Sequence, residues 1–229
     1  MDPEQSTPTR ERILQATIDL FSENGYGNVS MREIAGRVGI RASSLYKHYE
    51  SKDALLDSIF DLFKQSLGKT NFPSIDLSAY LKTVTPEEYL NQAFALFRQV
   101  MWTPEVMKIA RIINIEQQRN QSVRRFFLEE LVHKPCEITR HVFDQMVKNR
   151  SIDRIDTAIA AEEYNAYIIY VYFEQNFLME EPSIDEIERK MTQHNRFFAN
   201  HVLKQGEHRH KGVGGNRKST QAWKHLAGR

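Results

Sequence analysis

Residues 30–56 read Ser30-Met31-Arg32-Glu33-Ile34-Ala35-Gly36-Arg37-Val38-Gly39-Ile40-Arg41-Ala42-Ser43-Ser44-Leu45-Tyr46-Lys47-His48-Tyr49-Glu50-Ser51-Lys52-Asp53-Ala54-Leu55-Leu56. Ser30 and Glu33 form a capping box, in which the serine oxygen takes an orphan backbone N–H and the glutamate reaches back. A short helix follows to Val38. Gly39 stands where the chain must leave it, since a left-handed residue there carries no Cβ penalty. A very short helix then runs from Ala42 to His48, and Ser51 caps the next one. Two short helices joined by a tight glycine turn form the helix-turn-helix pattern. Ile34, Ala35, Val38, Ile40 and Leu45 are the apolar pins that hold the pair against Ile13, Ala16 and Phe21. Hairpins of this kind also occur in proteins that never touch DNA, so spacing alone leaves the function open.

Charge narrows the choice. Between Arg32 and Lys52 the bases Arg32, Arg37, Arg41, Lys47 and Lys52 face only Glu33 and Glu50. Hydroxyl groups of Ser30, Ser43, Ser44, Tyr46 and Tyr49 crowd the same segment. Such groups bond phosphate oxygens and set register, while side chains at the start of the second helix reach base edges. Helix N-termini at Ser30 and Ser51 add positive dipole ends suited to phosphate. A merely solvated charged face remains the plain alternative.

Outward from this stretch the chain reads as all-α. It has 229 residues with 41% hydrophobic and 27% charged, ordinary values for a globular protein. The 10 glycines and 7 prolines do not cluster before residue 204, and no segment sustains a period-2 alternation. Thr85-Pro86-Glu87-Glu88 is a second capping box with proline at the first helical position. Ser183-Ile184-Asp185-Glu186, Ser51-Lys52-Asp53 and Thr103-Pro104-Glu105 are further helix starts. The pattern predicts helices at 9–24, 31–38, 42–48, 51–67, 86–100, 104–118, 121–149, 156–179 and 183–204, about nine in all. Pro135 must kink or break the seventh. The stretch Gly68 to Thr85 reads as a linker.

The overall charge of +1 conceals an asymmetry. From Lys204 to Arg229 seven bases stand against the single acid Glu207. Residues 205–229 read as a basic, disordered tail, and the body before it is mildly acidic. Any nucleic-acid surface in the body is therefore a local patch. The longest apolar run, Ala166 to Phe173, is far short of the roughly 20 residues a membrane span needs, and the first twelve residues hold no apolar signal segment. One cysteine, Cys136, excludes an internal disulfide. A cytoplasmic location, with no membrane partner, is the expectation.

Phe21-Ser22-Glu23-Asn24-Gly25-Tyr26, Met31 to Ile40, and above all Leu45-Tyr46-Lys47-His48-Tyr49 followed by Ser51-Lys52-Asp53-Ala54-Leu55-Leu56 resemble the DNA-binding domain of TetR-family transcriptional regulators. The resemblance covers roughly residues 10–60 and is specific in that last combination. Beyond it, only length and helical content are similar. It implies a homodimeric repressor that binds a palindromic double-stranded DNA operator and releases it when a small-molecule effector occupies the C-terminal domain. By position, Ser30, Tyr46, Tyr49 and Lys52 would contact phosphates. Arg41, Ala42, Ser43, Lys47 and His48 would lie at or in the major groove, with Ser44 beside them. Arg41 stands where the family has a small capping residue, and it offers a bidentate contact to guanine instead. Met31 replaces a common hydroxyl residue. The implied division is a three-helix helix-turn-helix domain at 1–50 and a helical ligand-binding and dimerisation domain at 51–204, with helix 51–67 connecting them.

The long C-terminal helices leave room for a cavity of the kind in which bundles hold ligands. Candidate lining residues are Trp102, Ile109, Ile113, Glu116, Phe127, His133, Cys136, Tyr164, Tyr167 and Tyr170. The aromatics with one carboxylate, Glu116, point toward an apolar or aromatic compound, cationic ones included. The helix 156–179 is apolar almost all round, so more than one side is buried, by core, ligand or a partner subunit. In helix 183–204 the residues Ile184, Ile187, Met191, His194, Phe198 and His201 recur at helical spacing. In the family these two helices of each subunit form a four-helix bundle, and that arrangement is the expected dimer; intrachain core is the alternative.

Metal, cofactor and catalytic readings are weak. His133, Cys136 and His141 do not share a helical face, so no metal site is expected from them, and His208 and His210 sit in the tail. No nucleophile elbow, phosphate loop or His-Glu-x-x-His motif occurs. The acidic pairs such as Glu129-Glu130 are sequence neighbours, which diverge by about 100° on a helix. The chain is expected not to be an enzyme and to need no cofactor. A helical protein–protein adaptor with a vestigial helix-turn-helix is the other functional class.

Overall fold

The computed structural model describes residues 8–69, 76–179 and 182–203. The chain runs α1 (Thr9–Asn24), a 3-10 turn (Tyr26–Asn28), α2 (Met31–Val38), α3 (Ala42–Tyr46), α4 (Lys52–Gly68), α5 (Leu77–Tyr80) and α6 (Pro86–Met101). It continues through α7 (Pro104–Glu116), α8 (Gln121–Phe127), α9 (Lys134–Lys148), α10 (Thr157–Phe173) and α11 (Ile184–His201). Among the described residues there is no strand. The expected tail at 205–229, with its histidines, lies outside the described residues.

Local chemistry sets the helix starts. The Ser30 hydroxyl accepts the Glu33 N–H at 3.3 Å while the Glu33 carboxylate accepts the Ser30 N–H at 2.6 Å. Thr85 and Glu88 repeat this at α6, with Pro86 in the first turn. Ser51, Thr103 and Ser183 each accept an N–H from three residues on. The four-residue α5, capped by Asp76, falls inside the stretch read as a linker; its single turn is too short to show a period.

Pro135 does not break its helix. α8 continues without interruption through a π-helical segment, Leu128–His133, into α9. A proline removes one backbone donor and crowds the carbonyl four residues back, and a wider π turn just ahead relieves both. A second π segment, Glu174–Leu178, extends α10.

Three apolar cores organise the described residues, the third a small one of Phe94, Val171, Ile187 and Met191. The first joins Ile13, Phe21, Ile34, Leu45, Leu55, Ile59 and Phe63 of α1–α4 to Val106, Ile109, Ile113 and Val123 of α7 and α8. The second joins Leu81, Tyr89, Leu90, Phe143, Met146, Tyr164, Phe198 and Leu203 around α6, α9, α10 and α11. The N-terminal bundle therefore rests on α7, and α4 runs from that bundle into the C-terminal one.

Candidate functional site

Gly39 adopts the left-handed conformation that its position requires, with φ 75° and ψ 32°. Its N–H donates to the Gly36 carbonyl at 3.1 Å, and the Ile40 N–H donates to the Ala35 carbonyl at 3.0 Å. The turn is thereby closed, and Arg12 ties α1 to it through a 2.9 Å bond to the Val38 carbonyl. Leu45 is fully buried beneath α3. Arg41, Ser43, Tyr46, Lys47 and His48 are exposed, and Ala42 and Ser44 are half-buried. Arg41 occupies the N-cap of α3 and makes no side-chain cap bond, so its guanidinium remains available to a partner. This surface is donor-rich and rigidly backed, the form that reads a groove.

Three of the expected phosphate contacts also have partners within the chain. Tyr49 is 4% exposed; its ring belongs to the first core, and the Arg10 guanidinium lies 5.0 Å over it. Lys52, the first residue of α4, turns back across the loop before α2. Its Nζ donates to the carbonyls of Tyr26 at 2.7 Å and Val29 at 3.0 Å and sits 4.2 Å over the Tyr26 ring. Those carbonyls lie in the loop before α2, and an ammonium with three donors satisfies both. Ser30 is exposed, but its hydroxyl is committed to its capping box, donating to Glu33 at 2.7 Å. Tyr46, 52% exposed, is the expected contact that stands open.

Tyr26 is also one of the points at which the C-terminal bundle holds the N-terminal one, as the Lys108–Asp19 pair at 2.6 Å is another. Its N–H donates to Glu116 Oε1 at 3.0 Å, and its hydroxyl donates to Asp53 at 2.5 Å. Burial, and then that bond to Asp53, push the phenol well above its ordinary range. Gly25 precedes it with φ 80°, a conformation L side chains rarely adopt.

A cavity of about 870 Å³ opens between α4, α5, α6, α9 and α10. Of the expected lining residues it holds Phe127 and Tyr164. Ile109 and Ile113 lie in the first core, because α7 turns its apolar stripe to α1 and α4. Glu116 is buried against Tyr26 instead. Trp102 packs against Phe94, Phe97 and Tyr172 behind the wall. His133 is exposed beside Glu129. Tyr167 stacks on His194 at 4.0 Å, and Tyr170 is half-exposed and donates to Glu174. Cys136 is half-buried outside the cavity, and burial raises its thiol pKa, with Glu162 adding to the effect.

Sequence reading missed Tyr89, Phe94, Phe97, Tyr172 and the ionic rim of Lys64, Glu130 and Lys134. Glu130, one of two acidic sequence neighbours that diverge on the helix, is 9% exposed and accepts from Lys134 at 2.7 Å. The available signal was the i, i+4 spacing of Glu130 and Lys134.

The helical stripe of α11 mostly faces inward: Ile187, Met191 and Phe198 are buried in the chain's own cores. His194 Nε2 is buried without a partner, between Tyr167 and Tyr164. The open apolar groups of α10 and α11 are Ile159, Tyr170, Ile184 and Phe197. No helix among the described residues is long and apolar enough to cross a membrane.

Comparison with known proteins agrees with the N-terminal geometry. Residues 13–59 match the family described as bacterial regulatory proteins, tetR family. The HTH-type transcriptional regulator UidR of Escherichia coli (strain K12) is 44% identical over 55 residues, 24% of this chain and 28% of that protein. The match thus spans little more than a quarter of that relative's length. The biofilm operon icaADBC HTH-type negative transcriptional regulator IcaR of Staphylococcus aureus (strain Newman) is 23% identical over 152 residues, 60% of this chain and 77% of its own. Among solved structures, a protein from Mesorhizobium loti MAFF303099 assigned to the TetR-family transcriptional regulators superposes with a TM-score of 0.65 at 21% identity. That superposition covers 84% of this chain and 95% of the other, so the likeness of fold extends through the C-terminal bundle. These relatives are transcriptional regulators, not enzymes.

Proposed function

We propose that this chain, by its N-terminal domain a member of the tetR family of bacterial regulatory proteins, acts as a dimeric, ligand-responsive DNA-binding regulator. It binds a palindromic operator as a repressor and releases it when a small molecule enters the cavity. The observation that carries this reading is the surface of α3. Five polar side chains, Arg41, Ser43, Tyr46, Lys47 and His48, stand in solvent on, or directly flanking, a helix anchored by the buried Leu45. Arg41, Lys47 and His48 read the major groove with Ala42, Ser43 and Ser44, and Tyr46 meets phosphate. Lys52 and Tyr49 act by holding the loop and α1 in place. Residues 1–50 form the DNA-binding unit and 51–204 the ligand-binding and dimerisation unit.

The repressor sense is supported by IcaR, a negative regulator. Release follows from α4, which carries Lys52 at one end and lines the cavity with Lys64, Leu67 and Gly68 at the other. A ligand that prefers another placement of α4 shifts the population away from the DNA-binding form, and DNA weakens the ligand by the same factor.

Selection of DNA from a random pool by the purified chain, repeated across salt concentrations, tests the reading. An enriched inverted repeat with half-sites about one helical turn, roughly 34–36 Å, apart supports it. Arg41→Ala and Lys47→Ala should then change the preferred bases. Salt-sensitive retention without a motif reduces the reading to electrostatics. No retention at all transfers the chain to the adaptor class.

A further inference from the structure

The cavity wall is chemically divided. Its inner side is aromatic, with Phe94, Phe97, Tyr164 and Tyr172, and two of its polar side chains are already engaged. The Tyr164 hydroxyl donates to Asn195 Oδ1 at 3.0 Å. Asn165 Nδ2 donates to Thr139 Oγ1 at 3.0 Å and to the Ala161 carbonyl at 2.8 Å. A guest rich in hydroxyl groups would lose more of its water against these rings than those side chains could replace.

The rim is ionic. Lys134 Nζ lies 2.7 Å and Lys64 Nζ 3.8 Å from the same Glu130 oxygen. Glu130 is 9% exposed, while both lysine side chains are 47% exposed at the mouth. Two ammonium groups share one buried carboxylate, so this trio carries a positive charge that nothing within it balances. Glu129 and Glu137 also act on Lys134, and Glu137 lines the mouth, but both are exposed, and water screens them. A cationic guest meets two like charges in front of a carboxylate that both already hold. An anionic guest gives each lysine a carboxylate of its own.

We propose that the cavity takes an amphipathic organic acid, its apolar or aromatic body against the inner wall and its anionic group on Lys64 and Lys134. This deepens the reading of the cavity as the effector site and rests on it. The exchange has a direct mechanical meaning. The Lys64–Glu130 pair links α4 to the π-helical segment between α8 and α9, and an anion that takes Lys64 loosens that link.

Titration calorimetry with decanoate, decan-1-ol and decyltrimethylammonium, all below their micellar concentrations, separates head-group chemistry from chain length. Decanoate should bind at least about tenfold more tightly than either of the others, as one charge-assisted hydrogen bond is worth. Lys64→Met and Lys134→Met should each remove most of that advantage while leaving decan-1-ol unchanged. Glu130→Gln, by removing the competitor for the lysines, should strengthen decanoate. Equal or tighter binding of decyltrimethylammonium overturns the inference, as does a weaker decanoate in Glu130→Gln or the absence of heat from all three. Decanoate binding as expected with no change in DNA retention leaves the inference standing and overturns the effector reading.

Discussion

A carboxylate buried at a helix end needs a partner, and Glu116 finds one in the Tyr26 N–H. At 7% exposure it has little access to water, so the bond to Tyr26 and the loop around it are coupled. Glu116→Leu leaves that backbone donor without its acceptor and should cost about 1–3 kcal/mol of stability. Glu116→Gln keeps an acceptor oxygen in place and should stay within about 1 kcal/mol of the parent chain by chemical denaturation. Equal losses in the two variants would show that the side chain acts through packing alone. His194 offers a test in pH. Burial pushes its imidazole down to about 4 from an ordinary 6.5, so the folded chain keeps the neutral ring while the unfolded chain takes up a proton below 6.5. The stability tied to the neutral ring is complete above about pH 6.5 and is lost as the pH falls from there through 4. His194→Phe keeps a ring in the stack and cannot titrate. The stability difference between parent and variant, measured by denaturation at successive pH values, should be flat above about pH 7 and shift against the parent chain below 6.5. Parallel curves throughout would remove His194 from the pH response.

At the scale of the element, the turn between α2 and α3 separates two kinds of glycine. A Cβ at either Gly36 or Gly39 would meet no atom within 4 Å, so only backbone conformation distinguishes them. Gly39 is left-handed, and Gly39→Ala should destabilise by about 1–2 kcal/mol. Gly36 lies in the helix α2, and Gly36→Ala should stabilise by about 0.5–1 kcal/mol. Thermal melts should move in opposite directions; the same sign in both would mean that packing, not φ, governs the turn. Helix starts and this turn were legible in sequence because each depends on side chains within three or four residues, as at Ser30 and Glu33 or Thr85 and Glu88. The π-helical segment and the one-turn α5 were not, since neither carries a period. The cavity was legible least. An apolar stripe on α7 looks the same whether it faces a ligand or α1, and α10 is apolar on nearly every side, so no face could be assigned. Lys52 shows the same limit for charge: its phosphate role comes from the resemblance alone, while the loop carbonyls it also satisfies are visible only in three dimensions.

At the scale of the molecule, the proposed dimer holds two recognition helices at one separation, and the surface that does this should differ from the stripe that periodicity selected. Ile187, Met191 and Phe198 are spent on the chain's own cores. The exposed apolar residues of α10 are Ile159, Ala166 and Tyr170, spaced seven and four residues apart on one side of the helix; on the neighbouring α11, Phe197 is 58% exposed and stacked on His201 at 4.6 Å. An exposed phenylalanine and isoleucine on adjacent helices are the apolar groups a second copy would cover. Because both are in solvent, Ile159→Asp with Phe197→Glu should leave the melting transition of the subunit within about 0.5 kcal/mol of the parent. The same pair of changes should place like charges across the two-fold interface and convert the dimer to monomer by sedimentation. Binding to a full palindrome should then weaken by at least about 100-fold, the gain that two tethered half-site contacts hold over one, while binding to an isolated half-site is unchanged. Retention of the dimer would move the interface off α10 and α11. A monomer with undiminished affinity for the palindrome would show that each subunit reads DNA alone, and the coupling of the cavity to the operator would then have to act within one chain, through α4.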